Sequence, residues 1–132
     1  MNPELIVAAM LNHASITALV GNRRTVSQLP QNSAYPALVY SVVTANPQPH
    51  LNYAGEPQMA QARIQINPLA LTIGEVKAIH AAVRAQMDFK VGQVIAGKRV
   101  VSCRLDTVGP TDRDNESGVW TQAADYLLQW YE

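Results

Sequence analysis

The sequence predicts an α+β fold: a mainly antiparallel β-sheet with a central helix and an N-terminal helix packed on it, joined by long polar loops. Three observations predict it. Gln58 to Asn67 alternates Ala60, Ala62, Ile64 and Ile66 against Gln61, Arg63 and Gln65, the period of a strand with one wet face. Lys98 to Thr107 alternates in part, with Val101, Cys103 and Leu105 opposite Ser102, Arg104 and Asp106. Between these runs, Ile73, Val76, Ile79, Val83 and Met87 recur at helical spacing.

Asn2, Pro3 and Glu4 open the chain as a helix start: a capping side chain, a proline at the first helical position and an acid near the positive end of the dipole. Leu5, Ala8, Ala9 and Asn12 extend that helix to about His13. Ser15 is expected to cap a second short helix, Ile16 to Val20, which Gly21 ends. Asn22 to Leu29 is polar and bounded by Pro30, which suits a short edge strand. After the loop Gln31 to Ala34 and the pair Tyr35-Pro36, the run Ala37 to Thr44 is rich in β-branched and aromatic residues and reads as a strand.

Asn46 to Pro57 holds three prolines and a glycine in twelve residues, a composition expected to form a long loop or extended arm. Beyond the alternating strand, Thr72 and Glu75 form a capping-box pair that opens the central helix, expected to end near Met87. Val91 to Gly97 is apolar with two glycines and fits either a loop or a short strand. Val119 to Tyr131 contains both tryptophans and places Tyr126, Leu128 and Trp130 on one face of a long buried strand. It is expected to pair with Lys98–Thr107 around the connector Gly109 to Gly118, which has four charges and no large apolar group and must lie at the surface.

At 132 residues the chain fits one domain, 1–132, able to remove roughly two-thirds of its extended-chain surface from water without a metal or disulfide. Ten basic and ten acidic residues leave no net charge. That argues against sequence-specific nucleic-acid binding by the whole surface, since phosphate contacts need a local excess of Lys and Arg. The pair Arg23-Arg24 is the nearest approach to such a cluster. One cysteine, Cys103, cannot form an intramolecular disulfide and fits a reducing compartment. The apolar run Leu5 to Leu11 lacks a preceding base, abuts Glu4 and is too short to span a bilayer, so a soluble, cytosolic protein without membrane contact is expected.

Enzyme signatures are absent from the sequence: there is no phosphate-binding glycine loop, nucleophile elbow, paired-histidine zinc helix or Cys-x-x-Cys pair. His13, His50 and His80 fall in different elements without ligand-like spacing. Asp112, Asp114 and Glu116 resemble the start of a calcium loop, but Ser117 and Ala123 stand where such a loop needs its glycine and its bidentate acid. No cofactor and no metal are therefore expected. The long polar segments point instead to contact with other protein chains, with Tyr53, Glu56, Asp112, Arg113, Asp114 and Glu116 as the interface candidates. The alternative is a small enzyme or small-molecule-binding domain with a helix–sheet pocket near His80, Cys103 and Tyr126.

The order of several short motifs carries a resemblance that spans nearly the whole chain. These are Ile16-Thr17-Ala18-Leu19-Val20-Gly21, Tyr35-Pro36-Ala37-Leu38-Val39-Tyr40, Ala62-Arg63-Ile64-Gln65-Ile66-Asn67, and Glu75-Val76 followed by Ala82-Val83-Arg84. Asp114-Asn115-Glu116-Ser117-Gly118-Val119-Trp120 and Ala124-Asp125-Tyr126-Leu127-Leu128-Gln129-Trp130 close the series. The chain resembles the tail completion proteins of long-tailed phages and prophages, similar to the tail-terminator family that includes the phage lambda minor tail protein U. The resemblance implies an α+β structural protein and no enzyme. It implies a homo-oligomer, a hexameric ring that caps the tail tube, fixes its length and presents a joining surface to the head. The implied partners are the tail tube protein and a head-tail connector protein, and the implied location is the virion tail, with assembly in the host cytoplasm.

Overall fold

The computed structural model describes residues 1–31, 33–48 and 58–132. Three helices, α1 (Pro3–Leu11), α2 (Ala14–Val20) and α3 (Ile73–Met87), cover one face of a six-stranded sheet. The strands are β1 (Arg24–Val26), β2 (Ala37–Gln48), β3 (Met59–Ala70), β4 (Lys90–Ile95), β5 (Lys98–Arg113) and β6 (Trp120–Tyr131), in the spatial order β1-β2-β3-β6-β5-β4. All neighbours run antiparallel except β1 and β2. The predicted α+β class, with its mainly antiparallel sheet, is what the chain forms.

The core lies between α1, α2, α3 and the inner face of the sheet. In β3 and β6 every second residue points into it: Ala60, Ala62, Ile64 and Ile66 face Trp130, Leu128, Tyr126 and Ala124 across the ladder, and all eight are buried. From above, Ile6, Val7, Leu11, Ile16 and Val20 meet Val76, Ile79, Val83 and Met87. The central helix starts as expected, with Thr72 Oγ1 accepting the Glu75 N–H at 3.3 Å, but Ile73 at its head stays exposed. No single helix among the described residues is long and apolar enough to cross a membrane; α1 and α2 meet at a bend of 83° and bury their apolar residues in this core.

Several boundaries differ from the sequence expectation. Asn2 stands at the α1 cap position, but its side chain makes no cap bond, and the helix ends at Leu11 rather than His13. His13, not Ser15, caps α2: its Nδ1 accepts the Ser15 N–H at 3.2 Å. Gly21 ends that helix at φ 57°, as predicted. Of Asn22–Leu29 only Arg24–Val26 forms a strand, on the sheet edge. The Val91–Gly97 ambiguity resolves as strand, β4.

The three prolines within the long strands were expected to lie outside them, and none does. β2 runs through Pro47 to Gln48, because β1 covers only Leu38, Val39 and Tyr40 and beyond them β2 is an open edge where a missing N–H costs no ladder bond. β3 continues through Pro68 to Ala70, and the ladder to β6 skips Asn67 and Pro68. Likewise β5 runs on through Gly109 and Pro110 to Arg113, the latter two in a register shift between Val108 and Thr111. The expected connector Gly109–Gly118 therefore shrinks to Asp114–Val119. A second shift, between Val100 and Ser102, turns Val100 inward with Cys103 where the plain alternation favoured Val101.

The heaviest part of this core is Trp130, 1% exposed, at the end of β6. Trp130→Ala is expected to cost about 3–5 kcal/mol in urea unfolding, by lost burial and the cavity left behind. Trp120→Ala, half-buried at the other end of the same strand, should cost clearly less.

Candidate functional site

The acids of the connector cluster at one end of the sheet. Asp112 and Arg113 close β5 opposite Thr121 and Trp120, and the chain then turns tightly through Asp114–Gly118. Asp114 organises this turn: its Oδ1 accepts the Glu116 N–H at 3.0 Å, its backbone N–H donates to the Val119 carbonyl at 2.9 Å, and its carbonyl accepts from Gly118 at 2.7 Å. Those bonds, first from the Glu116 N–H and then from the Ser117 side chain, hold its carboxyl below the usual carboxylate range. Gly118, at φ 74°, supplies the left-handed residue that the turn requires.

Around the turn lies an open concavity of about 580 Å³. Tyr35, Leu69 and Val119 form its apolar part, and Asp112, Arg113, Asp114 and Glu116 its charged rim. Four of the six interface candidates thus come together. Tyr53 and Glu56 lie outside the described residues, as does His50. Among the described residues no group of three His, Cys, Asp or Glu side chains could hold a metal ion.

The alternative pocket is only partly assembled. His80 and Tyr126 share a half-open concavity of about 250 Å³ with Lys77, Arg84, Leu105 and Gln122. Cys103 does not reach it: the side chain is fully buried, and burial pushes its thiol up to about 12. Burial also raises the Tyr126 phenol. The polar groups here join helix to sheet. Gln122, the one buried polar residue among those described, takes a hydrogen bond on Oε1 from Lys77 Nζ at 2.9 Å and donates from Nε2 to the Gly109 carbonyl at 2.8 Å. His80 Nε2 lies 2.7 Å from the Gln122 carbonyl, which can only accept, so Nε2 carries the hydrogen.

The outer face of the sheet, away from the helices, is a polar ladder that sequence reading left as a wet face. Gln48 donates to Gln61 Oε1 at 2.5 Å, Gln129 donates to the same oxygen at 3.3 Å, and Ser102 donates to Gln129 at 3.2 Å, linking β2, β3, β6 and β5. Beside it, Arg63 bridges Asp106 at 2.8 Å and Asp125 at 3.2 Å. The Arg63 hydrogen bond holds the Asp106 carboxyl below its ordinary value. Asn67 and Thr121 hydrogen-bond in the same row.

Sequence reasoning also missed the edge strand β4 as a surface. Phe89, Val94 and Val91 are 80, 73 and 67% exposed, the most exposed large apolar side chains among the described residues. The turn from α3 into β4 is braced by Asp88. Burial alone would raise its carboxyl, but hydrogen bonds from the Leu105 N–H at 2.9 Å and Arg84 Nε at 3.0 Å outweigh that and lower it. Phe89 follows at φ 57°, a conformation that a bulky residue rarely adopts. No signal in the sequence marked it, since the residue types around Phe89 fit a buried phenylalanine as well.

A family model described as tail completion protein gp17 matches residues 4–123. No curated protein sequence matches the chain. Among solved structures, a chain from the virion of a native gene transfer agent (GTA) particle aligns with a TM-score of 0.67 at 15% identity, covering 98% of this chain and 96% of that one. At that identity the likeness is one of fold.

Burial lowers the His80 pKa, helped by the Lys77 charge and opposed by the bond to the Gln122 carbonyl. Its folded value lies below the unfolded 6.5, so the unfolded chain binds more protons in between. This contribution to stability is complete above 6.5 and is lost as pH falls through the lowered folded value. The urea midpoint should therefore drop between pH 7.5 and pH 5, and His80→Gln should flatten that drop; an unchanged pH profile in the variant would remove His80 as its source.

Proposed function

We propose a function from one premise: the chain belongs to the tail completion protein gp17 family, whose members are structural virion proteins and not enzymes. It is a tail completion protein of a phage-like particle and assembles with other tail or head proteins. The finer reading is a terminator: a hexameric ring on the head-proximal end of the tail tube that stops tube growth and offers the surface to which the head connector joins. Its partners are then further copies of itself, the tail tube protein and a head-tail connector protein, brought together in the host cytoplasm.

The observation that carries this reading is the family match over residues 4–123. The geometry fits it. A sheet whose outer face is tied by side-chain hydrogen bonds across four strands is a rigid plate, suited to keeping one shape under lateral load. Asp112, Arg113, Asp114 and Glu116, exposed on the turn at one end of that plate, form its contact surface with a neighbouring chain. Charged groups at an exposed rim set which partner docks, and in what register, more than they set affinity. Tyr53 and Glu56, in the segment between β2 and β3, are proposed as further contact residues.

Tails assembled with and without the protein, compared by electron microscopy, test the reading. Six-fold rings at the head-proximal tip and overlong tubes in its absence are expected. Tails of normal length without it would end the terminator reading. Replacing Asp112, Arg113 and Asp114 together by alanine should impair assembly while leaving the isolated chain folded by circular dichroism.

A further inference from the structure

The β4–β5 hairpin combines two features that nothing so far explains. Its free edge holds the three most exposed large apolar side chains, Phe89, Val91 and Val94. From Phe89 to Leu105 it also contains Lys90, Lys98, Arg99 and Arg104 and no acid, in a chain of zero net charge. Val91 pairs with Ser102, which bonds Gln129 on the outer face, and Val94 with Arg99, which lies over the Tyr131 ring, so both valines point to the outer side of the sheet. An apolar strand edge left open is a pairing hazard that natural proteins cover or charge. Here the chain charges its flanks and leaves its centre bare.

We propose that this hairpin docks into the acidic concavity at the β5–β6 turn of a second copy of the chain, making the head-to-tail contact of the ring; the inference rests on the ring reading above. Phe89 is the anchor. Its ring stands free on a turn that Asp88 ties to Arg84, Leu105 and the Phe89 N–H itself, so little freedom is lost when it docks. The receiving surface offers an apolar part, Tyr35, Leu69 and Val119, inside a rim of Asp112, Arg113, Asp114 and Glu116 in which acids outnumber bases three to one. Its volume of about 580 Å³ lies in the range of concavities that accept an inserted group.

Charge decides between the possible second-copy contacts. The other sheet edge, β1, is flanked by Arg23 and Arg24, so pairing β4 with it would set cations against cations. The turn beyond β5 is the acidic end of the same sheet. β4 pairs with the first residues of β5, Lys98 to Cys103, and the acidic turn follows its last, Arg113, so the two patches lie towards opposite ends of one long strand. A patch and its complement on different parts of one surface make a heterologous contact, which closes into a ring when the rotation allows. A nucleic-acid backbone would match the cations but not the bare apolar centre of the strand.

Two charge-reversed variants of the full chain test the contact. In Lys90→Glu/Lys98→Glu/Arg99→Glu both patches become acidic; in Asp112→Lys/Glu116→Lys both become basic. Neither should form rings alone by electron microscopy and sedimentation, at wild-type urea midpoints, whereas an equimolar mixture should restore them as alternating copies. Phe89→Ser should weaken wild-type assembly by at least tenfold in the concentration required. Wild-type rings with both reversed variants still assembling alone would overturn the contact and leave the ring reading standing. A wild-type chain that never oligomerises, on tails or free, would overturn both. Loss of DNA binding by Lys90→Glu/Lys98→Glu/Arg99→Glu with ring assembly unchanged would assign the hairpin to nucleic acid and overturn the proposal.

Discussion

The period-two alternation of β3 and β6 is the constraint on which the remaining structure depends. These two antiparallel strands form the middle of the sheet, and each residue's side is set by its place in their shared register. A slip of one residue would expose Trp130, Leu128 and Tyr126 and turn Asp125 and Gln129 into the core, at the cost of both burial and unpaired polar groups. The two faces enforce the same answer. Inside, the four residues Ala60 to Ile66 meet the aromatic and leucine side chains of β6; outside, Arg63 reaches Asp125 and Gln61 reaches Gln129 only in that register.

The flanking strands β2 and β5 solve a different problem. Each outruns its edge partner, β1 or β4, and so presents an open edge along part of its length. Apart from Pro68, at a gap in the β3–β6 ladder, this is where the strand prolines sit, with most of the bulges: Pro47 and the Val42/Thr44 shift in β2, Pro110 and the shifts beyond Leu105 in β5. Residues that would break a central strand are tolerated there, and they also discourage unplanned pairing. β5 continues beyond its bulges, so that Asp112 and Arg113 pair with the start of β6 next to the tight turn at Asp114.

The alternation of Gln58–Asn67 and the face Tyr126, Leu128, Trp130 were legible because a half-buried strand writes its burial directly into every second residue. The capping of α3 by Thr72 was legible because a cap is a local interaction. Proline misled the reading of Asn46, Pro68 and Pro110, since its cost depends on whether a neighbouring strand needs that N–H, a tertiary fact absent from local sequence. Val101 was preferred to Val100 because the bulge that swaps them leaves no mark in the residue types. At the candidate site, the charges of Asp112 to Glu116 were visible as a polar run, but not their concavity, whose apolar part joins Val119 of the same turn to Tyr35 and Leu69 from two other segments. Phe89 was invisible as a surface feature, because nothing in sequence distinguishes an exposed phenylalanine from a buried one.

The disposition of polar groups explains why a structural role suits this chain better than chemistry. A catalytic site needs titratable groups left under-engaged and convergent on one space. Here His80 joins α3 to β6 through the Gln122 carbonyl, Asp88 pins the turn into β4, and Arg63 bridges two acids across the sheet, while burial holds Cys103 and Tyr126 in their neutral forms. What is left unengaged is at the rim, and it is of the kind that protein surfaces use for recognition, aromatic and aliphatic side chains flanked by charge. A chain with equal numbers of acids and bases, sorted so that one end of its sheet is acidic and a hairpin along its edge is basic, has no net charge. It does have a direction, and directed surfaces are what a repeating assembly requires.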